Sequence, residues 1–229
     1  MKKAVSILLA ALMLFALAAC GTAAPAESAE PVQRADHYQH AWYYLEDGTL
    51  TTVDHYDARG HILGDEVYEN GELATYEEFR TTENYTFEIP ELTDNADVVS
   101  TEYAELYVRS AAEGSEFHSS GMVFVFGYDA EDHMRMAKVF ALNEAGTVLF
   151  SYVIYYQLDE HGNFTGWTHM TENGEVLFEM QAENVYDGDQ LTQANYYYTR
   201  YGNIDYENGY QYQAQDETTG YTLSVVFEY

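Results

Sequence analysis

Cysteine is all but missing from this chain of 229 residues: there is one, Cys20, so no disulfide forms within it and stability has to come from burial. Cations are scarce as well, with 9 Lys and Arg against 39 Asp and Glu. Lys2 and Lys3 belong to an acid-free leader, so the remainder holds 7 cations against 39 anions, a net charge of −32, with Lys138 its one lysine. Such a body is repelled by nucleic-acid phosphates, anionic lipid heads and polyanionic wall polymers, because it has too few cations to displace their counterions. Nucleic acid is thereby excluded as a partner. What the chain does have is 47% apolar residues and 23 tyrosines, surface enough to argue for a folded domain rather than disorder despite the charge.

The start of the chain reads Met1-Lys2-Lys3, then apolar from Ala4 to Leu17, then Ala18-Ala19-Cys20-Gly21. A cationic head, a short apolar run and small residues before a cut site make a secretory signal peptide over residues 1–19. The run is shorter than the roughly 20 residues a membrane span needs. Leu17-Ala18-Ala19-Cys20 resembles the bacterial lipobox, which implies lipid attachment at Cys20 and cleavage before it. Residues 20–36 then read as the lipidated cysteine and a flexible tether, and residues 37–229 as a single β-repeat domain with a non-repeat insert over 82–120. The expected location is the extracytoplasmic face of a bacterial cell membrane, held there by acylated Cys20.

Turn signals recur through the body, among them Glu46-Asp47-Gly48, Glu69-Asn70-Gly71, Glu144-Ala145-Gly146, Glu160-His161-Gly162 and Glu172-Asn173-Gly174. Between them apolar residues alternate at period two, as in Val176, Phe178, Met180 and Ala182, or Leu223, Val225, Phe227 and Tyr229. Gly146 to Gly174, Gly174 to Gly202 and Asp159 to Asp187 are each separated by 28 residues, which argues for an internal repeat of two hairpin-linked strands. The predicted fold is mainly all-β: an antiparallel meander of repeated hairpins forming an open or barrel-like sheet. Within the insert, residues 97–113 fit a short helix packed on the sheet through Val99, Tyr103, Leu106 and Ser110, although Thr101, Tyr103, Glu105 and Tyr107 also fit a strand.

Tyr56-Asp57-Ala58-Arg59-Gly60-His61-Ile62 and Leu158-Asp159-Glu160-His161-Gly162-Asn163-Phe164 resemble the Tyr-Asp repeats of bacterial RHS and YD-repeat surface proteins, a likeness that implies hairpin architecture over about half the chain. Asp132 stands where that pattern has glycine. Trp42-Tyr43-Tyr44-Leu45-Glu46-Asp47-Gly48 and the stretch from Tyr155 to Trp167 are similar to the wall-binding repeats of choline-binding and glucan-binding proteins. That second resemblance implies a ligand site at Trp42, Tyr44, Tyr156 and Trp167, where ring faces would take a quaternary ammonium or a sugar.

His37, His40, His55 and His61 cluster early; His55 and His61 flank a turn and invite a zinc site completed by Asp57 or His40, but His37 and His40 point to opposite faces of a strand. No metal is expected, and no cofactor. There is no Gly-x-Ser-x-Gly elbow, no His-Glu-x-x-His and no phosphate-binding glycine loop, and no pair among the 39 acids stands out for glycoside hydrolysis. The expectation is a non-catalytic, lipid-anchored surface protein that presents an acidic, tyrosine-rich β-surface for protein interaction or structural display, with binding of wall carbohydrate or choline as the alternative.

Overall fold

The computed structural model describes residues 37–57, 60–81, 97–205 and 211–229. Twelve strands follow one another: β1 His40–Tyr44, β2 Leu50–Tyr56, β3 Ile62–Glu69, β4 Glu72–Thr81, β5 Ser100–Ser110, β6 His118–Tyr128, β7 Met134–Leu142, β8 Val148–Leu158, β9 Phe164–Thr171, β10 Val176–Asp187, β11 Gln190–Asp205 and β12 Gln211–Glu228. Each pairs antiparallel with the next, and β12 returns to β1 with Phe227 opposite Ala41 and Val225 opposite Tyr43, which closes the sheet into a barrel without edges.

The turns explain the periodicity of the sequence. In Asp57–His61, Asp129–His133, Asn143–Thr147 and Asp159–Asn163 the first residue bonds the backbone of the fifth, and its side-chain oxygen accepts backbone N–H groups inside the turn. Thr171–Glu175 does the same through the Thr171 hydroxyl. The fourth residue takes positive φ; it is glycine at 60, 146, 162 and 174 and Asp132 at φ 72°, a conformation in which Asp is among the tolerated non-glycine residues. Strands run alternately up and down, so the Tyr-Asp or Leu-Asp steps after β2, β6, β8 and β10 all fall on one rim of the barrel. One hairpin of two strands, β9 and β10, separates successive steps on that rim between Asp159 and Asp187, which is the 28-residue period.

The YD/RHS reading is therefore corrected: the dipeptides are rim turns of a single closed 12-stranded barrel, with no array of separate hairpin modules. The meander stands, and closure decides between the open and barrel-like forms. The helix over 97–113 is also corrected. Ser100–Ser110 is β5, because Ala104, Leu106 and Val108 alternate inward while Tyr103, Glu105 and Tyr107 point out, and the β-branched and aromatic content suits a pleated surface.

Alternation sorts the two faces. Inward positions are apolar and packed: Phe124 and Phe126 of β6, Val139 of β7, Ile154 and Tyr156 of β8, Trp167 of β9, Met180 of β10, Tyr196 and Tyr198 of β11 and Leu223 of β12 are all buried in one cluster. His169 lies among them, stacked 4.4 Å from Trp167, and burial pushes its imidazole down to about 3, so it is a neutral core residue. Outward positions carry Glu66, Glu78, Glu105, Glu179, Glu183 and Glu228. The outer tyrosines serve these acids: Tyr68, Tyr197 and Tyr201 donate to Glu66, Glu183 and Glu179 at 2.6–2.8 Å. Arg80 and Arg109 lie over Tyr107 and Tyr76 at 4.1 and 4.2 Å. A smaller apolar cluster of Val123, Val125 and Phe140 sits on the outer side of β6 and β7.

Candidate functional site

Three inward positions break the apolar pattern on adjacent strands. Asp54 of β2 stands opposite Asp65 of β3, and Asp65 opposite Glu77 of β4, so the three carboxyls form one row across the inner wall. They are 0%, 1% and 5% exposed. Directly opposed residues bring their Cβ atoms to about 5 Å, close enough for each charge to act on the next.

No cation of the chain reaches them among the described residues. Asp54 Oδ2 accepts from the Tyr43 hydroxyl at 2.8 Å and from the Tyr56 hydroxyl at 3.0 Å. Asp54 Oδ1, both oxygens of Asp65 and Glu77 Oε2 find no donor in any other group, and the one hydrogen bond within the row is the proton that Asp65 and Glu77 share. Burial dominates the result: it pushes Asp54 up to about 8 and Glu77 up to about 7, and it holds Asp65 well above the carboxylate range with the charge of Glu77 adding to the effect. The same burial, reinforced by the Asp54 charge, raises Tyr43, Tyr56, Tyr38 and Tyr198. Tyr43 packs 6.0 Å from Tyr196, and Tyr38 meets Tyr56 edge-on at 5.1 Å. A row of acids thus faces a group of neutral phenols.

A cleft of about 110 Å³ opens at the rim that carries the Tyr-Asp turns, lined by Asp57, His61, Phe79, Glu102, Phe126 and Tyr128. Phe79 is the next inward residue of β4 after Glu77, so the cleft lies one side chain from the acid row. His61 Nδ1 faces Glu102 Oε2 across it at 3.4 Å. A wider cleft of about 510 Å³ lies between the β8 and β9 segments and Tyr212, with Glu172 and Glu175 as its only ionisable acids; its lining brings no buried charge together.

The aromatic quartet expected from the sequence is split by the barrel wall. Trp42 and Tyr44 sit half-exposed on the outside, Trp42 donating to Glu228 at 3.2 Å, whereas Tyr156 and Trp167 are buried inside. No cage can form from them, and the reading of choline or wall-carbohydrate binding through these residues is withdrawn. The histidines are also redistributed. His61 turns to Glu102 and its carbonyl accepts from Asp57 N–H, while Gly64 stands opposite His55 on β3; it is His40, on β1, that meets His55. Asp129, Glu131 and His133 bring ligand atoms within 4.8 Å of one another, yet Asp129 already binds Arg135 and two turn amides.

The acid row was overlooked in the sequence because each member reads as one more solvated acid among 39. Phase supplies the missing signal: Asp54 shares its face with Thr52, Asp65 with Val67, and Glu77 with Thr75 and Phe79.

No family model matches this chain, and no curated protein matches it. Among solved structures it is similar to a porin-like protein from Bacteroides uniformis, with 7% identity, 83% of this chain and 96% of that chain covered, and a TM-score of 0.26. The finding that bears on function is the closed barrel itself. It overturns the lipid-anchored surface-display reading, together with its placement on the extracytoplasmic membrane face through acylated Cys20 and its protein or wall-glycan partner. That reading had the acids and tyrosines of a repeat array on offer to a partner, and here one barrel closes on itself and outer tyrosines bond outer acids. Cys20 lies outside the described residues.

Proposed function

We propose that the chain is a non-catalytic binding barrel that takes a small organic cation, a guanidinium or alkylammonium group, beside Asp54, Asp65 and Glu77. One observation carries this reading: three buried carboxyls in a row with four oxygens lacking a donor from outside the row. Buried ionised carboxylates are tolerated when paired, and an unpaired one neutralises by taking a proton. A ligand cation supplies the missing partner, and the row extends over two strand spacings of about 4.8 Å each, a length that suits a planar guanidinium or a short diamine better than a point charge. The phenols around Asp54 offer ring faces to the same cation.

Conduction is disfavoured by the same geometry. A membrane-spanning pore has a polar lumen and an apolar outer band; here the inner face away from the acid row is packed with apolar side chains, and the outer face carries glutamates on its strands, among them Glu66, Glu78, Glu105, Glu179, Glu183 and Glu228.

The test is calorimetric titration of the protein with methylguanidinium and with putrescine at pH 8 and pH 5. Saturable binding is expected at pH 8, weakened at least tenfold at pH 5 and at least tenfold in Asp65→Asn and Glu77→Gln. Absence of binding by both probes, or binding that neither variant disturbs, refutes the assignment.

A further inference from the structure

We propose that His40 and His55 form a site for a borderline transition-metal dication, Zn(II), Cu(II) or Ni(II), on the outer face of the barrel. The site lies across the wall from the acid row, since Asp54 and His55 are successive residues of β2 and point to opposite faces. It stands independently of the proposed lumen ligand.

His40 and His55 are direct cross-strand partners on β1 and β2, their rings 5.0 Å apart and nearly perpendicular. Their Nδ1 atoms approach to 2.9 Å. On the far side of His55, Nε2 faces Glu66 Oε1 at 3.7 Å, which favours the tautomer with its proton on Nε2. His55 Nδ1 then carries a lone pair, and without metal His40 Nδ1–H donates to it. A metal takes the place of that proton, and His40 moves its proton to Nε2, so both rings stay neutral and both Nδ1 lone pairs point at the ion. Metal–nitrogen bonds of about 2.0–2.1 Å at a tetrahedral angle set the two nitrogens about 3.3 Å apart, a few tenths of an ångström beyond the present spacing. Small side-chain rotations on an intact ladder supply that opening.

The surroundings fit the same ion. Glu228 stands opposite His40 on β12, held by the Trp42 indole, and adds negative charge beside the two imidazoles, whose coordination water would complete. Two imidazoles select for Zn(II), Cu(II) or Ni(II) over Mg(II) and Ca(II), which the surface acids would otherwise attract.

The experiment titrates the protein with Cu(II) alone and Zn(II) alone in excess Mg(II), followed by electron paramagnetic resonance and calorimetry. Expected are one tight equivalent with two-nitrogen hyperfine structure, at least tenfold weaker binding in His40→Gln or His55→Gln, and 10- to 100-fold weaker binding in Glu66→Gln. His118→Gln, at an exposed histidine outside the site, should bind as the unmodified protein does. In the unmodified protein, paramagnetic broadening by Cu(II) should centre on the His40 and His55 resonances, a readout that does not depend on how the variants fold. A copper signal without nitrogen ligation, broadening centred elsewhere, or tight binding that survives both histidine substitutions overturns the assignment.

Discussion

Raising the pH from 6.5 to 8 should loosen this barrel from the inside. Asp54 titrates at about 8 and Glu77 at about 7 in the folded protein, whereas in the unfolded chain both lose their protons near 4. Folded pKa values raised in this way favour the native state at low pH, and the advantage is lost as pH climbs toward the folded values, because the native state binds more protons than the unfolded one across that interval. One pKa unit is about 1.4 kcal/mol. Between pH 6.5 and 8, Asp54 spends the whole interval in this regime and Glu77 roughly its first third, which together remove about 3 kcal/mol. Asp65, held protonated higher still, adds in the same direction. Below 6.5 the buried His169 opposes the trend, since its folded value of about 3 lies under the unfolded one and stability gained there rises with pH. In the interval from 6.5 to 8 the acid row dominates, since the exposed carboxylates are already ionised at its lower end and the opposing contribution of His169 fades within a unit above the unfolded histidine value. For a chain of this size a loss of about 3 kcal/mol lowers Tm by roughly 6–12 °C. Thermal unfolding by circular dichroism at half-unit steps measures it. In Asp54→Asn the amide oxygen still accepts from Tyr43 and Tyr56, so most of the slope should vanish and Tm at pH 8 should exceed that of the unmodified protein. Glu160→Gln, whose side chain is 90% exposed, should change neither. A flat or rising Tm across the interval, or an unaltered slope in Asp54→Asn, would refute the buried-acid reasoning.

Asp159→Ala should lower stability by about 2 kcal/mol, read as the urea midpoint at pH 7, because the carboxylate accepts from two turn amides, Tyr186 and Asn184. Burial raises Asp159 but these hydrogen bonds outweigh it and hold the carboxyl below the usual range, so its contribution is present above the unfolded value and disappears as pH falls through the folded one; variant and parent should converge as the medium is acidified below the unfolded value. Trp42→Phe should leave blue-shifted emission from buried Trp167 that acrylamide barely quenches, and Trp167→Phe the reverse; equal quenching in the two would mean that the strand faces are assigned wrongly.

Hairpins and strand phase were legible because they are local. Asp57, Asp129 and Asp159 announce their turns by composition, and Val176, Phe178 and Met180 announce an inner face by alternation. Closure was not legible, since it depends on pairing Ala41 with Phe227, residues whose local sequence is that of any half-buried strand. Residues 100–110 carried helical and strand periodicity together, and the sheet settled it: Phe79 needed Leu106 opposite, and Leu106 needed Met122. The acid row failed to register for a different reason. Its members lie on three strands, and only their common phase, seen against Val67, Thr75 and Phe79, separates them from Glu66 and Glu78 one residue away. The His40–His55 contact was half visible; the histidines were noticed, but the β1–β2 register decides which two meet.

Pairing of β1 with β12 joins residues nearly the whole described chain apart, and this gives the barrel a history in time. As the chain emerges from a ribosome, each hairpin can zip onto its predecessor, yet β1 waits with an open edge until the final strand has been made. Throughout that wait the inner face, acids included, is exposed to water and to other chains. Charge then acts as a guardian of the unfinished molecule: a growing sheet bearing so many carboxylates repels its own copies during the interval when its edges are most adhesive.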